Sequence, residues 1–270
     1  MKKTVIAIAI AALGASPAFA ASFVNGGFDG PVVGDAGTTN GWLVGGGNAG
    51  ISSRSGILKS ALSPADWLPG GAHYNAANSN SAIINTSYVD PNVGAALGST
   101  FYSGAYSYRV ENTTNGGYAS AISQTVVGYT DPTIFFAWKA VLEAAHTAET
   151  AATMKLVLRD DTDGVDLITR TYNATAGGVD PTKFTFSGGN YYTAAWQIEQ
   201  LNIDASLSGH NFTLSVLAAD CQPTGHFGYV YLDGFGAAPP IQGNVPEPTS
   251  LALVGLGMAG LAASRRRKSA

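Results

Sequence analysis

Apolar and polar residues alternate with a period of two over most of the second half of the chain. The clearest case is 153–159, in which Met154, Leu156 and Leu158 share one face and Lys155 lies on the other. Because successive side chains of a β-strand point to opposite faces of a sheet, this pattern predicts a half-buried strand. Similar runs predict strands at 107–112, 119–127, 133–141, 165–172, 182–186, 191–196, 212–218 and 227–235. The patterning therefore predicts an all-β fold.

The remaining stretches have weaker patterns. Residues 30–56 are dominated by Gly, Ser, Asn and Thr, which is typical of loops. Residues 57–105 predict irregular loops with one or two short strands, and 142–152 predicts either a helical turn or a hairpin connection. The acidic run 160–166 has the wrong residues for an EF-hand, because Arg159 and Arg170 occupy the first and twelfth positions. An Asp-Gly hairpin turn explains it, with a different kind of calcium loop as the alternative.

The N-terminal segment has the features of a secretory signal peptide. Lys2 and Lys3 precede an apolar core at 4–13, and Ala18-Phe19-Ala20 forms an A-x-A cleavage site. Residues 1–20 are therefore predicted to direct export by the Sec machinery and to be removed.

The C-terminal segment has three parts in a fixed order. Pro246, Glu247 and Pro248 form a stiff extended element, 251–263 is a short uncharged apolar run, and a basic cluster follows. That cluster is Arg265, Arg266, Arg267 and Lys268. The apolar run is short for a membrane span, which needs about 20 residues, so a transient anchor with its basic end in the cytoplasm is predicted. An ordinary tail-anchor helix is the alternative.

This tail resembles the PEP-CTERM sorting signal of Gram-negative bacteria that make exopolysaccharide. The resemblance implies processing by an exosortase, a membrane transpeptidase. It also implies export across the inner membrane to the cell surface or the extracellular space. The chain is thus divided into a signal peptide (1–20), one domain (21–243) and a sorting segment (244–270).

The net charge of the central domain limits the classes of molecule that it can bind. Six of the fourteen basic residues and one of the eighteen acidic residues lie in the terminal segments, which leaves eight against seventeen and a net charge of −9. A domain this acidic lacks the basic footprint that binds phosphate backbones, so nucleic acid is excluded. Cys221 is the single cysteine, so an internal disulfide is excluded as well. It is interpreted as a small half-buried hydrophobic residue, with intermolecular pairing or a reactive thiol as the alternative. The sequence places neither His210 nor His226 against the sulfur, so nothing in it activates the thiol.

Both ends of the domain resemble carbohydrate-binding modules with a galactose-binding-like jelly roll. The resemblance rests on Asn25-Gly26-Gly27-Phe28-Asp29 and a later Gly-Trp at the start, and on a closing strand with Tyr231 and Asp233. It implies a jelly-roll β-sandwich in which one structural calcium ion ties the first strand to the last. The matching ligands are Asn25, Asp29 and Asp233. Trp42 and Trp67 are candidate sugar-stacking residues, with loop-anchoring aromatics as the alternative.

The sequence contains no recognised catalytic motif. It has no G-x-S-x-G serine motif, no H-E-x-x-H zinc motif, no P-loop and no dinucleotide fingerprint. We therefore expect a non-catalytic protein associated with exopolysaccharide or biofilm matrix that binds glycans. The alternatives are a secreted hydrolase on the same scaffold and a purely structural matrix subunit.

Overall fold

The computed structural model describes residues 22–29, 38–39, 41–49 and 59–236, without the side chains of residues 38, 39 and 59. The predicted signal peptide and the sorting segment, with Pro246, Glu247, Pro248, Arg265, Arg266 and Arg267, lie outside the described residues. Within the described ranges, no helix is both long enough and apolar enough to cross a membrane.

The described chain is built from thirteen strands joined by loops and four short 3₁₀ helices. The strands are β1 (Thr38–Thr39), β2 (Trp42–Asn48), β3 (Ala82–Asn85), β4 (Tyr106–Val110), β5 (Tyr118–Tyr129), β6 (Thr133–Glu143), β7 (Thr153–Asp160), β8 (Val165–Asn173), β9 (Thr185–Ser187), β10 (Asn190–Tyr192), β11 (Gln197–Asn202), β12 (His210–Ala219) and β13 (Gly228–Gly236). The 3₁₀ helices are Lys59–Ala61, Pro64–Trp67, Ala76–Asn78 and Gly94–Leu97.

The strands form two antiparallel sheets. The first sheet has the order β1-β2-β5-β12-β7-β8. The second has the order β3-β4-β13-β6-β10-β9, and β11 also pairs with β6 beside β10. The two sheets pack face to face as a jelly-roll β-sandwich, which confirms the expected fold class.

The main core lies between the two sheets and follows the alternation seen in the sequence. Leu156 and Leu158 of β7 pack with Leu214 and Val216 of β12 and with Trp138 of β6, all fully buried. Burial of such side chains contributes about 1.5–3 kcal/mol each. These buried side chains hold the two sheets together.

A long loop also covers the outer face of the first sheet. Leu62, Trp67 and Leu68 pack there against small residues of β5 and β12. The approach is close because β2 contains Gly45 and Gly47, where a Cβ atom would lie 2.3 Å from Trp67 O and 2.0 Å from His73 O. Residues 42–48 were expected to be loop, and this is wrong: the glycines belong to a strand that another segment overlies.

Most of the strands predicted from 107 to 235 are present, with small shifts at their ends. The predictions at 182–186 and 191–196 were wrong in part: the strands there are only Thr185–Ser187 and Asn190–Tyr192, and β11 (Gln197–Asn202) was not predicted. β7 and β8 pair as a hairpin, and Gly164 in the connection has φ +72°, a conformation that favours glycine. The hairpin interpretation of the acidic run is therefore confirmed.

Leu142 and Glu143 extend β6, and the loop that follows contains a single turn in which the N–H groups of Thr150 (3.0 Å) and Ala151 (2.9 Å) donate to Thr147 O. The hairpin alternative is wrong, because β6 and β7 belong to different sheets.

Candidate functional site

Trp42 and Trp67 are both fully buried, which overturns their assignment as exposed sugar-stacking residues. Trp42 packs in the main core against Phe28 and Phe235, with ring centroids 5.3 and 5.4 Å away. Trp67 lies under the loop on the first sheet and stacks on His73 at 4.9 Å. A ring without exposed surface cannot contact a sugar, so both rings act in packing, as in the loop-anchoring alternative.

The proposed calcium ligands Asp29 and Asp233 converge on one loop. The Asp233 carboxylate accepts hydrogen bonds from the backbone N–H groups of Tyr102 (2.6 Å) and Ser103 (3.0 Å), and Asp29 accepts one from Ala105 (3.3 Å). Burial, with a smaller contribution from the charge of Asp29, raises the pKa of Asp233 to about 7 although backbone hydrogen bonds act to lower it. Two carboxylates at one loop suit a hard cation.

Asn25 occupies the turn that leads to Asp29. Its carbonyl oxygen accepts hydrogen bonds from the N–H of Phe28 (3.2 Å) and from Nε1 of Trp42 (3.2 Å). The carbonyl therefore orders the N-terminal segment. The structure brings the two carboxylates together, and Asn25 holds the backbone that carries one of them.

An open cleft of about 370 Å³ lies on the outer face of the first sheet. Its volume is at the lower end of the range of small-ligand sites, which is about 300–1,000 Å³. Side chains from β7, β8 and β12 form its floor, and the start of the 3₁₀ helix Pro64–Trp67 forms one wall. The lining residues are Ser63, Pro64, Ala65, Lys155, Val157, Arg159, Asp166, Thr213 and Ser215.

The floor of the cleft is polar because outward-facing positions of adjacent strands are polar. Thr213 pairs across the sheet with Arg159, and Ser215 pairs with Val157. Arg159 forms ion pairs with Asp166 (2.9 Å) and Asp161 (3.5 Å), and its side chain is 44% exposed. With Lys155, two positive side chains stand against these two carboxylates, so the charges balance locally. Such a surface offers hydrogen-bond donors and acceptors without a strong field of one sign.

A pair of buried carboxyl groups, Glu111 and Asp220, lies elsewhere in the fold. Both residues are fully buried. Burial raises the pKa of Glu111 to about 7, and burial together with the charge of Glu111 raises the pKa of Asp220 well above its usual range. Glu111 accepts a hydrogen bond from Ser120 (2.8 Å), and Asp220 accepts one from the N–H of Gly228 (3.1 Å). A substrate cannot reach carboxyls enclosed in this way.

Asp160 of the acidic run pairs with His210 at the start of β12. The carboxylate lies 2.8 Å from Nδ1 of His210 and accepts backbone hydrogen bonds from Thr162 (2.9 Å) and Asp163 (3.2 Å). The Asp160 contact raises the pKa of His210. The cluster of Asp160, Asp163 and His210 is therefore already joined by internal bonds that stabilise the hairpin turn.

Sequence reasoning missed a second cluster, formed by His146, Cys221 and His226. Nδ1 of His226 lies 3.5 Å from the Cys221 sulfur and 3.1 Å from Nε2 of His146. Cys221 is fully buried, His226 is half-buried and His146 is exposed. The pairing of β6 with β13 brings the three together, since Leu142 lies opposite Gly228. A correct prediction of the register between β6 and β13 would have located this cluster.

Comparison with known proteins identifies the tail. Residues 244–268 match the PEP-CTERM protein-sorting motif, which confirms the predicted sorting segment and marks the chain as an exported protein that an exosortase processes. No curated protein sequence matches the chain.

Solved structures similar to this chain are β-sandwich proteins, and the likeness is distant. The carbohydrate-binding module TmCBM61, solved with β-1,4-galactotriose, has 12% identity and a TM-score of 0.36, covering 79% of this chain and 94% of that one. The K2 cleaved adhesin domain of Lys-gingipain has 11% identity and a TM-score of 0.36, covering 80% and 96%. A cyclase from Fischerella sp. TAU has 10% identity and a TM-score of 0.36, covering 79% and 93%.

Proposed function

We propose that this chain is a non-catalytic protein of the cell surface or extracellular matrix that binds neutral glycans of an exopolysaccharide. The sorting motif supports the proposed location at the cell surface or in the extracellular matrix. The observation that carries the binding proposal is the polar cleft on the outer face of the first sheet. Its hydroxyl and charged groups suit sugar hydroxyls, and Pro64, Ala65 and Val157 offer apolar contacts for the C–H face of a sugar ring.

The balance of charge in the cleft favours a neutral glycan over an acidic one. Arg159 is paired with Asp161 and Asp166, so an anionic sugar would meet carboxylates beside the guanidinium.

The double substitution Arg159→Ala with Asp166→Ala is expected to weaken glycan binding by about tenfold or more. It removes two or three hydrogen bonds worth about 0.5–1.5 kcal/mol each, and tenfold corresponds to about 1.4 kcal/mol. Both residues are exposed and their charges neutralise each other, so the free energy of unfolding should change by less than about 1 kcal/mol. Calorimetry of the exported protein with the producer's exopolysaccharide and with neutral galactan, mannan and glucan measures the effect.

Two further variants locate the site. Gln200→Ala changes an exposed residue on the opposite sheet and should bind like the natural protein. Phe186 is 58% exposed and packs on Tyr191 at 4.6 Å, which makes this pair the competing sugar platform. Loss of binding in Phe186→Ala with full binding in the double variant would move the site there. Absence of binding to every polysaccharide would favour a structural matrix subunit.

We also propose that one calcium ion binds at Asp29 and Asp233 and fastens the N-terminal segment to the last strand. Calcium at a hundredfold excess over its dissociation constant should stabilise the domain by about 2.7 kcal/mol, which corresponds to roughly 5–10 °C in melting temperature. Thermal unfolding with calcium and with chelator measures this. Asp29→Asn should abolish the increase, whereas Asp163→Asn, in the other acidic cluster, should keep it. Equal melting temperatures with calcium and chelator would contradict the proposal.

A further inference from the structure

We propose that His146, Cys221 and His226 form a zinc-binding site at one end of the sandwich. His146 belongs to the connection between β6 and β7, and the other two residues belong to the turn between β12 and β13. Their three ligand atoms all lie within 4.8 Å of one another. A metal ion here would join two connections that are far apart in the sequence.

Two of the three distances between the ligand atoms agree with a tetrahedral zinc ion, and the third, between Cys221 Sγ and His146 Nε2, is no more than 4.8 Å. Zinc bonds of about 2.3 Å to sulfur and about 2.05 Å to nitrogen place a sulfur and a nitrogen about 3.6 Å apart and two nitrogens about 3.3 Å apart. The structure has 3.5 Å between Cys221 Sγ and His226 Nδ1, and 3.1 Å between His226 Nδ1 and His146 Nε2. Cys221 and His226 therefore already have the spacing of zinc ligands, and a side-chain adjustment of exposed His146 would complete the set.

The arrangement of His226 also suits a metal ion. Its Nδ1 atom faces both the sulfur and the other imidazole, although a ring nitrogen has only one lone pair or one proton to share. A cation between the three atoms would satisfy all of them with both histidines neutral and the cysteine ionised. The N–H of Gly225 points at the sulfur from 3.2 Å, a contact that stabilises a thiolate.

The turn that carries two of the ligands is internally braced. The N–H of Cys221 donates to His226 O (2.9 Å), and the N–H of Thr224 donates to Cys221 O (3.1 Å). Glu143 accepts a hydrogen bond from the N–H of Phe227 (3.3 Å), which ties the turn to the end of β6. The sulfur and one imidazole are thus held in place before a metal ion arrives.

The chemistry of the donors selects zinc over calcium or magnesium. A thiolate and two imidazoles are soft or borderline ligands, whereas calcium and magnesium prefer oxygen. Three protein ligands leave the fourth tetrahedral position free, and the exposure of His146 places that position on the solvent side. The site would accept a water molecule or an anionic group of a partner there.

Cobalt(II) serves as the spectroscopic probe for zinc in the exported protein. One equivalent should produce a sulfur-to-cobalt charge-transfer band and the intense visible bands of tetrahedral cobalt, and zinc should displace it. Cys221→Ser should remove the charge-transfer band. His146→Ala, at an exposed position, should weaken zinc binding at least about a hundredfold without unfolding the domain, as circular dichroism would check.

His210→Gln is the matched control, because His210 belongs to the cluster with Asp160 and Asp163. This variant should bind cobalt with an unchanged spectrum. The proposal is overturned if the natural protein gives no thiolate band, if His146→Ala binds zinc as tightly as the natural protein, or if His210→Gln alone abolishes binding.

Discussion

Gly26→Ala is expected to destabilise the domain by at least about 3 kcal/mol, because a Cβ atom at this position has no room. It would lie 1.6 Å from the carbonyl oxygen of Phe235. The same two residues are joined by a hydrogen bond of 3.1 Å from the N–H of Phe235 to Gly26 O. Because β13 pairs with β4 on one side and β6 on the other, its backbone cannot move away without disturbing the second sheet.

Thermal and denaturant unfolding measure this effect. A loss of 3 kcal/mol corresponds to a fall of roughly 6–12 °C in the melting temperature of a domain of this size. Gly177→Ala is the control, since no atom lies within 4 Å of a Cβ there. It should change the free energy of unfolding by less than about 0.5 kcal/mol. A Gly26→Ala variant with the stability of the control would show that the N-terminal segment does not dock as described.

Glu111→Gln is expected to stabilise the domain above pH 7 and to have little effect near pH 4.5. The pKa of Glu111 is raised in the folded state from 4.5 to about 7, chiefly by burial. Its contribution to stability is therefore fully present below pH 4.5 and is lost as the pH rises through about 7. The amide keeps the shape of the protonated acid and carries no charge, so at pH 8 the gain should approach about 3 kcal/mol.

Denaturant unfolding at several pH values between 4.5 and 8 tests this expectation. The natural protein should lose stability across this window, and the variant should lose less. The neighbouring Asp220 should also ionise at lower pH in the variant, because the charge of Glu111 is one cause of its raised pKa. Glu149→Gln, at an exposed glutamate, is the control and should leave the pH profile unchanged. Parallel profiles for Glu111→Gln and the natural protein would contradict the argument.

The alternation of apolar residues was sufficient to predict the strands that lie at the centre of each sheet. The strands β7, β12 and β13 each bury at least one face, and burial on one face is what produces a period of two. The strand β2 escaped this reasoning because its consecutive glycines remove the side chains on which the pattern depends. Glycine at these positions leaves room for the backbone of Trp67 and His73 above the sheet. This requirement comes from tertiary packing and is not visible in the sequence pattern.

The candidate sites were less accessible to sequence reasoning. The aromatic rings of Trp42 and Trp67 occur among glycines, and the same sequence suits an exposed platform or a tightly packed core. The covering loop decides this for Trp67, and the packing of Phe28 and Phe235 decides it for Trp42. His146 and Cys221 are separated by more than seventy residues, and their proximity depends on the register between β6 and β13. The resemblance implied that the first and last segments meet, and Asp29 and Asp233 accept hydrogen bonds from one loop, while the calcium ion itself stays a prediction.

The position of β13 sets the order in which the second sheet can be completed. This strand lies between β4 and β6, yet it is the last strand of the described residues and ends at Gly236, eight residues before the sorting motif begins at 244. A chain that leaves the membrane from its N-terminus therefore exposes two unpaired strand edges until it has been almost completely translocated. Any premature termination before Gly228 would leave β4 and β6 without their shared partner, and the product would be prone to aggregation.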